Sequence, residues 1–190
     1  MALPKRFLSV AAAATGQAYV GAGGLYELHF GETTAVAAAT IIRLYDQAAG
    51  PVATSPIAVL NLPADGQRQL EFSKGLRFRL GVLVSATGGD INGGISFSGS
   101  GALTPRFFDA DVDALVSGAV NVDSFLMSEV AGALAQVNVY DTLVQSGAPF
   151  ASVPLAANET VYYRWPQGVA FTTGITVDEA ASVEGVIYTL

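Results

Sequence analysis

Thr40-Ile41-Ile42-Arg43-Leu44-Tyr45-Asp46 decides how this chain reads, because it returns as Gln136-Val137-Asn138-Val139-Tyr140-Asp141. Both copies run apolar, polar, apolar, Tyr, Asp, and the two tyrosines lie 95 residues apart. A second block follows each copy. Gly75-Leu76-Arg77-Phe78-Arg79-Leu80-Gly81-Val82-Leu83-Val84 matches Gly168-Val169-Ala170-Phe171-Thr172-Thr173-Gly174-Ile175-Thr176-Val177 at an offset of 93. A third, Gly94-Ile95-Ser96-Phe97, matches Gly185-Val186-Ile187-Tyr188 at an offset of 91. Three blocks in one order, with a drift that loop-length changes produce, read as two copies of one domain.

The alternation gives the class of domain. Ile42 and Leu44 share one face of a strand, as Val137 and Val139 do in the second copy, with Arg43 and Tyr45 on the other. Leu76, Phe78, Leu80, Val82 and Val84 read as one face of a longer run. Period two means half-buried strands, and the β-branched and aromatic content agrees. Gly81 and Gly174, each in mid-run, predict a bulge or a close backbone approach. The expected fold is all-β: two tandem, structurally similar antiparallel β-sandwich domains of jelly-roll or Ig-like type. The boundaries are an N-terminal arm at 1–20, a first domain at 21–103 and a second at 104–190, with residues 103–116 as the link.

Composition narrows the function. The 190 residues include no cysteine, which excludes a disulfide framework and thiolate chemistry. Charged residues are 13% of the chain, against roughly 25% in ordinary soluble domains, so much surface is expected to be buried in an assembly. The net charge of −7 is unevenly placed. Residues 1–103 hold seven Lys/Arg and six Asp/Glu; residues 104–190 hold two and ten. The acidic second half argues against nucleic acid. No apolar run reaches the roughly 18 residues of a spanning helix, so no membrane partner is expected. Lys5-Arg6 followed by Phe7 to Ala14 imitates a short signal peptide; an extended arm or first strand is the favoured reading.

Enzymatic motifs are missing. His29 is the one histidine, on the outer side of a predicted strand, and there is no Gly-x-Ser-x-Gly elbow, P-loop or histidine cluster. Asp109-Ala110-Asp111-Val112-Asp113 fails as an EF-hand, because Ala114 and Val120 stand where Gly and Glu are required. No catalytic residue, metal ligand or cofactor is expected. Tyr26, Tyr45, Tyr140 and Tyr162 are expected to face outward, to stack on sugars or to meet a protein. Trp165 is expected in the core. Arg77 and Arg79 become Ala170 and Thr172 in the second copy, so the fold does not need them. With Arg43, Lys5 and Arg6 they form the candidate partner-binding set.

Leu44-Tyr45-Asp46, Gly75-Leu76-Arg77-Phe78 and Gly81-Val82-Leu83-Val84, with Val139-Tyr140-Asp141 and Gly168-Val169-Ala170-Phe171 in the repeat, resemble small β-sandwich proteins of tailed-phage virions. Capsid decoration, or head accessory, proteins are the most similar. The resemblance implies a non-enzymatic structural protein, made in the bacterial cytoplasm, that binds the capsid exterior and decorates or stabilises the head. Its implied partners are the major capsid protein or another virion protein, and its own copies as a trimer or dimer. A tail or neck accessory protein, or a host-surface or carbohydrate-binding β-module, is the alternative. The charge split would turn the first domain toward the shell and the second toward solvent.

Overall fold

The structure is a computed structural model that describes residues 5–11, 13–33, 39–49, 54–179 and 182–190. The Ala-rich stretch at 34–38 and the Gly/Pro turn at 50–53 lie outside the described residues. The chain forms two compact units, Met1–Thr104 and Pro105–Leu190.

The first eight strands are β1 (Lys5–Val10), β2 (Thr15–Val20), β3 (Gly23–Glu32), β4 (Thr40–Asp46), β5 (Ala58–Leu62), β6 (Gln67–Phe78), β7 (Gly81–Thr87) and β8 (Ile91–Ser98). They make two four-stranded antiparallel sheets, ordered β1-β8-β3-β6 and β2-β7-β4-β5. The next eight are β9 (Thr104–Phe108), β10 (Val112–Ser117), β11 (Val120–Glu129), β12 (Ala135–Tyr140), β13 (Ala151–Leu155), β14 (Thr160–Phe171), β15 (Gly174–Glu179) and β16 (Val183–Thr189). Their sheets are ordered β14-β11-β16-β9 and β10-β15-β12-β13. Adding eight to each strand number of the first unit gives the second. Two four-stranded sheets with this interleaved order are an eight-stranded jelly roll, so each unit is a jelly roll rather than an Ig-like sandwich.

Each core is the inner faces of its two sheets. In the first unit Leu28, Phe30, Phe72, Phe78, Ile42, Leu44, Leu60, Val82 and Val84 are buried. The second packs Val122, Phe125, Met127, Val137, Val139, Phe171, Ile175 and Val177 as one cluster. Irregularities recur as well: both β3 and β11 shift register at one residue, Tyr26 in one and Asp123 in the other.

The Tyr-Asp motif has a structural task. Asp46 accepts hydrogen bonds from the backbone N–H groups of Arg79, Leu80 and Gly81, at 2.7–3.4 Å. Asp141 does the same for Thr172, Thr173 and Gly174, at 2.8–3.4 Å. Each aspartate thus pins the turn that carries the chain from one sheet to the other. The run at 75–84 is therefore two strands in different sheets, not one. The alternation stays in phase because both sheets face one core. Gly81 and Gly174 make the crossing possible: φ is +152° and +154°, and a Cβ would meet the carbonyl oxygen of Tyr19 at 2.4 Å or of Val116 at 2.5 Å. A second pair of acids holds the turns before β6 and β14. Glu32 accepts from Asp65 N–H at 3.4 Å, and Glu129 accepts from Asn158 N–H at 2.7 Å. Asp65 and Asn158 both have positive φ.

Three expectations are corrected by the pairing. Residues 5–20 are not an arm: β1 pairs with β8 and β2 with β7, one in each sheet. Residues 103–116 are not a link: β9 joins the sheet of β16, and β10 pairs with β15. The third block also slips by one residue. Register matches Gly93 with Gly185 and Ser96 with Tyr188, an offset of 92. Aromatic rings explain the glycine, since a Cβ at Gly93 would strike Phe30 and one at Gly185 would strike Phe108.

Candidate functional site

The outer face of the β1-β8-β3-β6 sheet holds a groove of about 770 Å³, within the roughly 300–1,000 Å³ of small-molecule sites. Register lays out its floor. The middle cross-strand row runs Phe7, Gly94, His29, Gln69. One flanking row places Ser96 and Glu27 together, and the other places Asn92 beside Gly31. Gly94 puts no side chain into the groove. Phe7 stands on the edge strand at 88% exposure. Its ring lies 3.6 Å from where a Cβ on Gly94 would be.

The polar groups are fixed by each other. Gln69 Nε2 donates to Glu27 Oε1 at 3.1 Å, and Ser96 Oγ donates to Glu27 Oε2 at 3.1 Å. His29 Nε2 lies 3.3 Å from Gln67 Oε1. His29 is exposed, as expected for the outer side of a strand. The face is not repeated in the second unit, where Leu126 replaces His29 and Val186 replaces Gly94, both buried.

The five basic candidates do not come together. Arg6 is on β1 and donates from Nη1 to the carbonyl of Ala18 at 2.7 Å, bridging β1 to β2. Arg77 is on β6, at the opposite edge of the same sheet, and Arg43 is half-buried on β4 in the other sheet. Lys5 lies on β1, and its side chain is outside the described residues. Arg79 is exposed in the turn pinned by Asp46. Beside it are two exposed apolar side chains, Val20 at 61% and Leu80 at 58%. Leu80, expected on the inward face with Leu76 and Phe78, is instead turned out because it stands in the turn between the two sheets. Gly21 N–H donates to Leu80 carbonyl at 2.9 Å, which holds this tip together. In the second unit the matching positions are Ser117, Thr172 and Thr173, with Gly118 N–H donating to Thr173 carbonyl at 3.0 Å. That unit exposes Leu143 and Val144 instead, with no arginine in the turn.

The aromatic expectations divide. Tyr45 and Tyr140 are buried, not outward. A tyrosine buries its ring while its hydroxyl keeps a polar partner, and Tyr140 OH lies 3.4 Å from Asp178 Oδ2. Tyr26 and Tyr162 are half-buried, donating to Ser100 carbonyl at 2.6 Å and Ser124 Oγ at 3.3 Å. Trp165 is half-buried against the second core, edge-on to Phe125 at 4.7 Å. The acidic stretch is also structural: Asp111 accepts from Glu179 N–H at 2.7 Å and Asp113 from Gln145 N–H at 3.2 Å. Among the described residues no group of three or more His, Asp or Glu could hold a metal ion.

No family model matches the chain, and no curated protein matches it. Three solved structures are similar in fold. A fucolectin from striped bass serum is 11% identical over 96% of this chain and 85% of its own, with a TM-score of 0.32. The STIV major capsid protein is 8% identical over 98% and 96%, with a TM-score of 0.37. An allantoicase is 8% identical over 93% and 76%, with a TM-score of 0.26. The β-sandwich and jelly-roll assignment rests on the strand order of each unit. Among the described residues no helix is long and apolar enough to cross a membrane.

Proposed function

We propose that this chain is a non-enzymatic structural protein of a tailed-phage virion, which attaches to the capsid exterior through its first unit. The supporting observation is the tip formed by Val20, Arg79 and Leu80. An internal control comes with it, because the second unit builds the same turn on the same aspartate contacts with Thr172 and Thr173. The fold therefore requires neither the arginine nor the exposed leucine. Arg is enriched at protein interfaces and pairs bidentately with carboxylates, while exposed apolar side chains beside it supply area to bury. The partner that fits is an acidic, partly apolar patch on the major capsid protein or another virion protein. The acidic second unit would then face solvent and keep particles apart. The low share of charge suits burial between copies, as a trimer or dimer. A neck or tail position would use the same tip.

Co-sedimentation with empty shells of the parent particle tests this. Arg79→Ser with Leu80→Ser should weaken attachment by roughly tenfold or more, about 1.4 kcal/mol or greater, with the circular dichroism spectrum unchanged. Attachment of the parent chain should also weaken with salt, since the arginine is exposed. His29→Ala should leave attachment unaltered. Full decoration by the double variant, or a complex in which residues 105–190 make the main contact, would refute the reading.

A further inference from the structure

We infer that the groove on the outer face of the β1-β8-β3-β6 sheet is a binding site for a neutral saccharide. Three features on that face carry this. The first is Phe7, an aromatic ring 88% exposed at the rim. An aromatic so open costs solvation and serves no core, but it offers an apolar plate to the C–H face of a sugar ring. The second is the floor. Gly94, next to Phe7 in the cross-strand row, puts no side chain into the groove. The third is the polar wall. Glu27 is an acceptor held in place by Gln69 and Ser96, and the amides of Gln69 and Asn92 add donors and acceptors. Sugar hydroxyls both donate and accept, so they match a wall that mixes carboxylate, amide, imidazole and hydroxyl groups.

Other ligand classes fit less well. An apolar ligand would strip water from the Glu27–Gln69–Ser96 network and offer it no further hydrogen bond. An anionic one would meet the Glu27 carboxylate, which is held in the wall of the groove by Gln69 and Ser96. Catalysis on the sugar would need two carboxylates set across the bond, whereas Glu27 is already fixed from both oxygens. The second unit again serves as a control: Leu126 and Val186 close the same face, so the jelly roll does not need a polar, open sheet there.

Ligand-observed NMR and calorimetry with methyl glucoside, methyl galactoside, methyl mannoside and dextran test the site, with poly-glutamate as an acidic polypeptide. Two variants are chosen to keep the fold. Phe7→Ala removes an exposed ring. Gly94→Val copies the residue that the second unit carries at the matching position, and the nearest atom to its Cβ is 3.5 Å away, ordinary contact. At least one of the neutral probes should bind below about 10 mM, and each variant should lower that affinity roughly tenfold or more. The Arg79→Ser, Leu80→Ser variant should bind the sugar as the parent does, which separates this site from the attachment tip. Failure of all four neutral probes overturns the inference. So does sugar binding that survives both variants, or poly-glutamate binding more tightly than any sugar.

Discussion

Phe78→Ala and Phe171→Ala should each destabilise their own unit by about 3–5 kcal/mol. Both rings are 1% exposed and close the inner end of the strand before the pinned turn. They occupy one position in the two units, paired through Gly23 on β3 and Val120 on β11. Their surroundings differ, and that sets an order. Phe78 is wedged: a Cβ on Gly23 would lie 2.7 Å from its ring, and Tyr19 meets it edge-on at 5.5 Å. Phe171 packs at 4.7 Å on Phe150, which is itself 45% exposed and has room to move inward. A cavity that neighbours fill costs less than one held open. Phe78→Ala should therefore sit toward the upper end and Phe171→Ala toward the lower. Guanidinium unfolding followed by fluorescence and circular dichroism measures both. A cost under about 1 kcal/mol at either position would mean the packed core is not as described.

What the sequence made legible follows from where each interaction keeps its partners. The repeat was visible because strand alternation and the Tyr-Asp pair are written in side chains. The purpose of the aspartate was not, because its donors are backbone N–H groups more than 30 residues later, which carry no signature of their own. The sheet crossing inside residues 75–84 was masked for a related reason. Inward positions of both sheets are apolar and Leu80 in the turn is apolar too, so period two continues through the turn in the sequence although Leu80 itself is exposed. At the N-terminus small residues blur the alternation of β1 and β2, and edge strands with one neighbour read as an arm. The groove was half legible. Glu27 and His29 alternate with Leu28 and Phe30, which puts them outside. Gly94 was hidden by aligning Gly94 with Gly185, a slip that exchanges the two faces of a strand. Register corrected it, and with it the floor became visible.

Asp141→Ala should cost about 2 kcal/mol near neutral pH and progressively less in acid. The carboxylate accepts from Thr172 N–H at 2.9 Å, Thr173 N–H at 2.8 Å and Thr172 Oγ1 at 2.9 Å. Hydrogen bonds to a charged group contribute about 1.5–3 kcal/mol, and solvent at this turn screens them toward the lower end. Partial burial raises the Asp141 pKa, but the N–H groups of Thr172 and Thr173 outweigh it and hold the carboxyl below the usual aspartate range. Glu129 behaves likewise: burial raises it, and N–H groups from Asn158, Ala131 and Gly132 bring it lower. Groups depressed in the folded state stabilise it fully above their unfolded pKa, about 4, and lose that contribution as pH falls through the folded value. Glu179 has the opposite sign. Desolvation first, then Asp111, Asp109 and Glu184, raise its pKa despite the Val183 N–H. Its protonation therefore favours the folded state as pH falls toward the ordinary glutamate range. Stability of the second unit should rise slightly on mild acidification and then drop below about pH 4. The gap between the parent chain and Asp141→Ala should close over that last interval, as the carboxylate takes up its proton. Urea unfolding at pH 7, 5, 4 and 3 reads all of this. An unchanged midpoint for Asp141→Ala at pH 7, or a gap as wide at pH 3 as at pH 7, would show that the aspartate does not pin the turn.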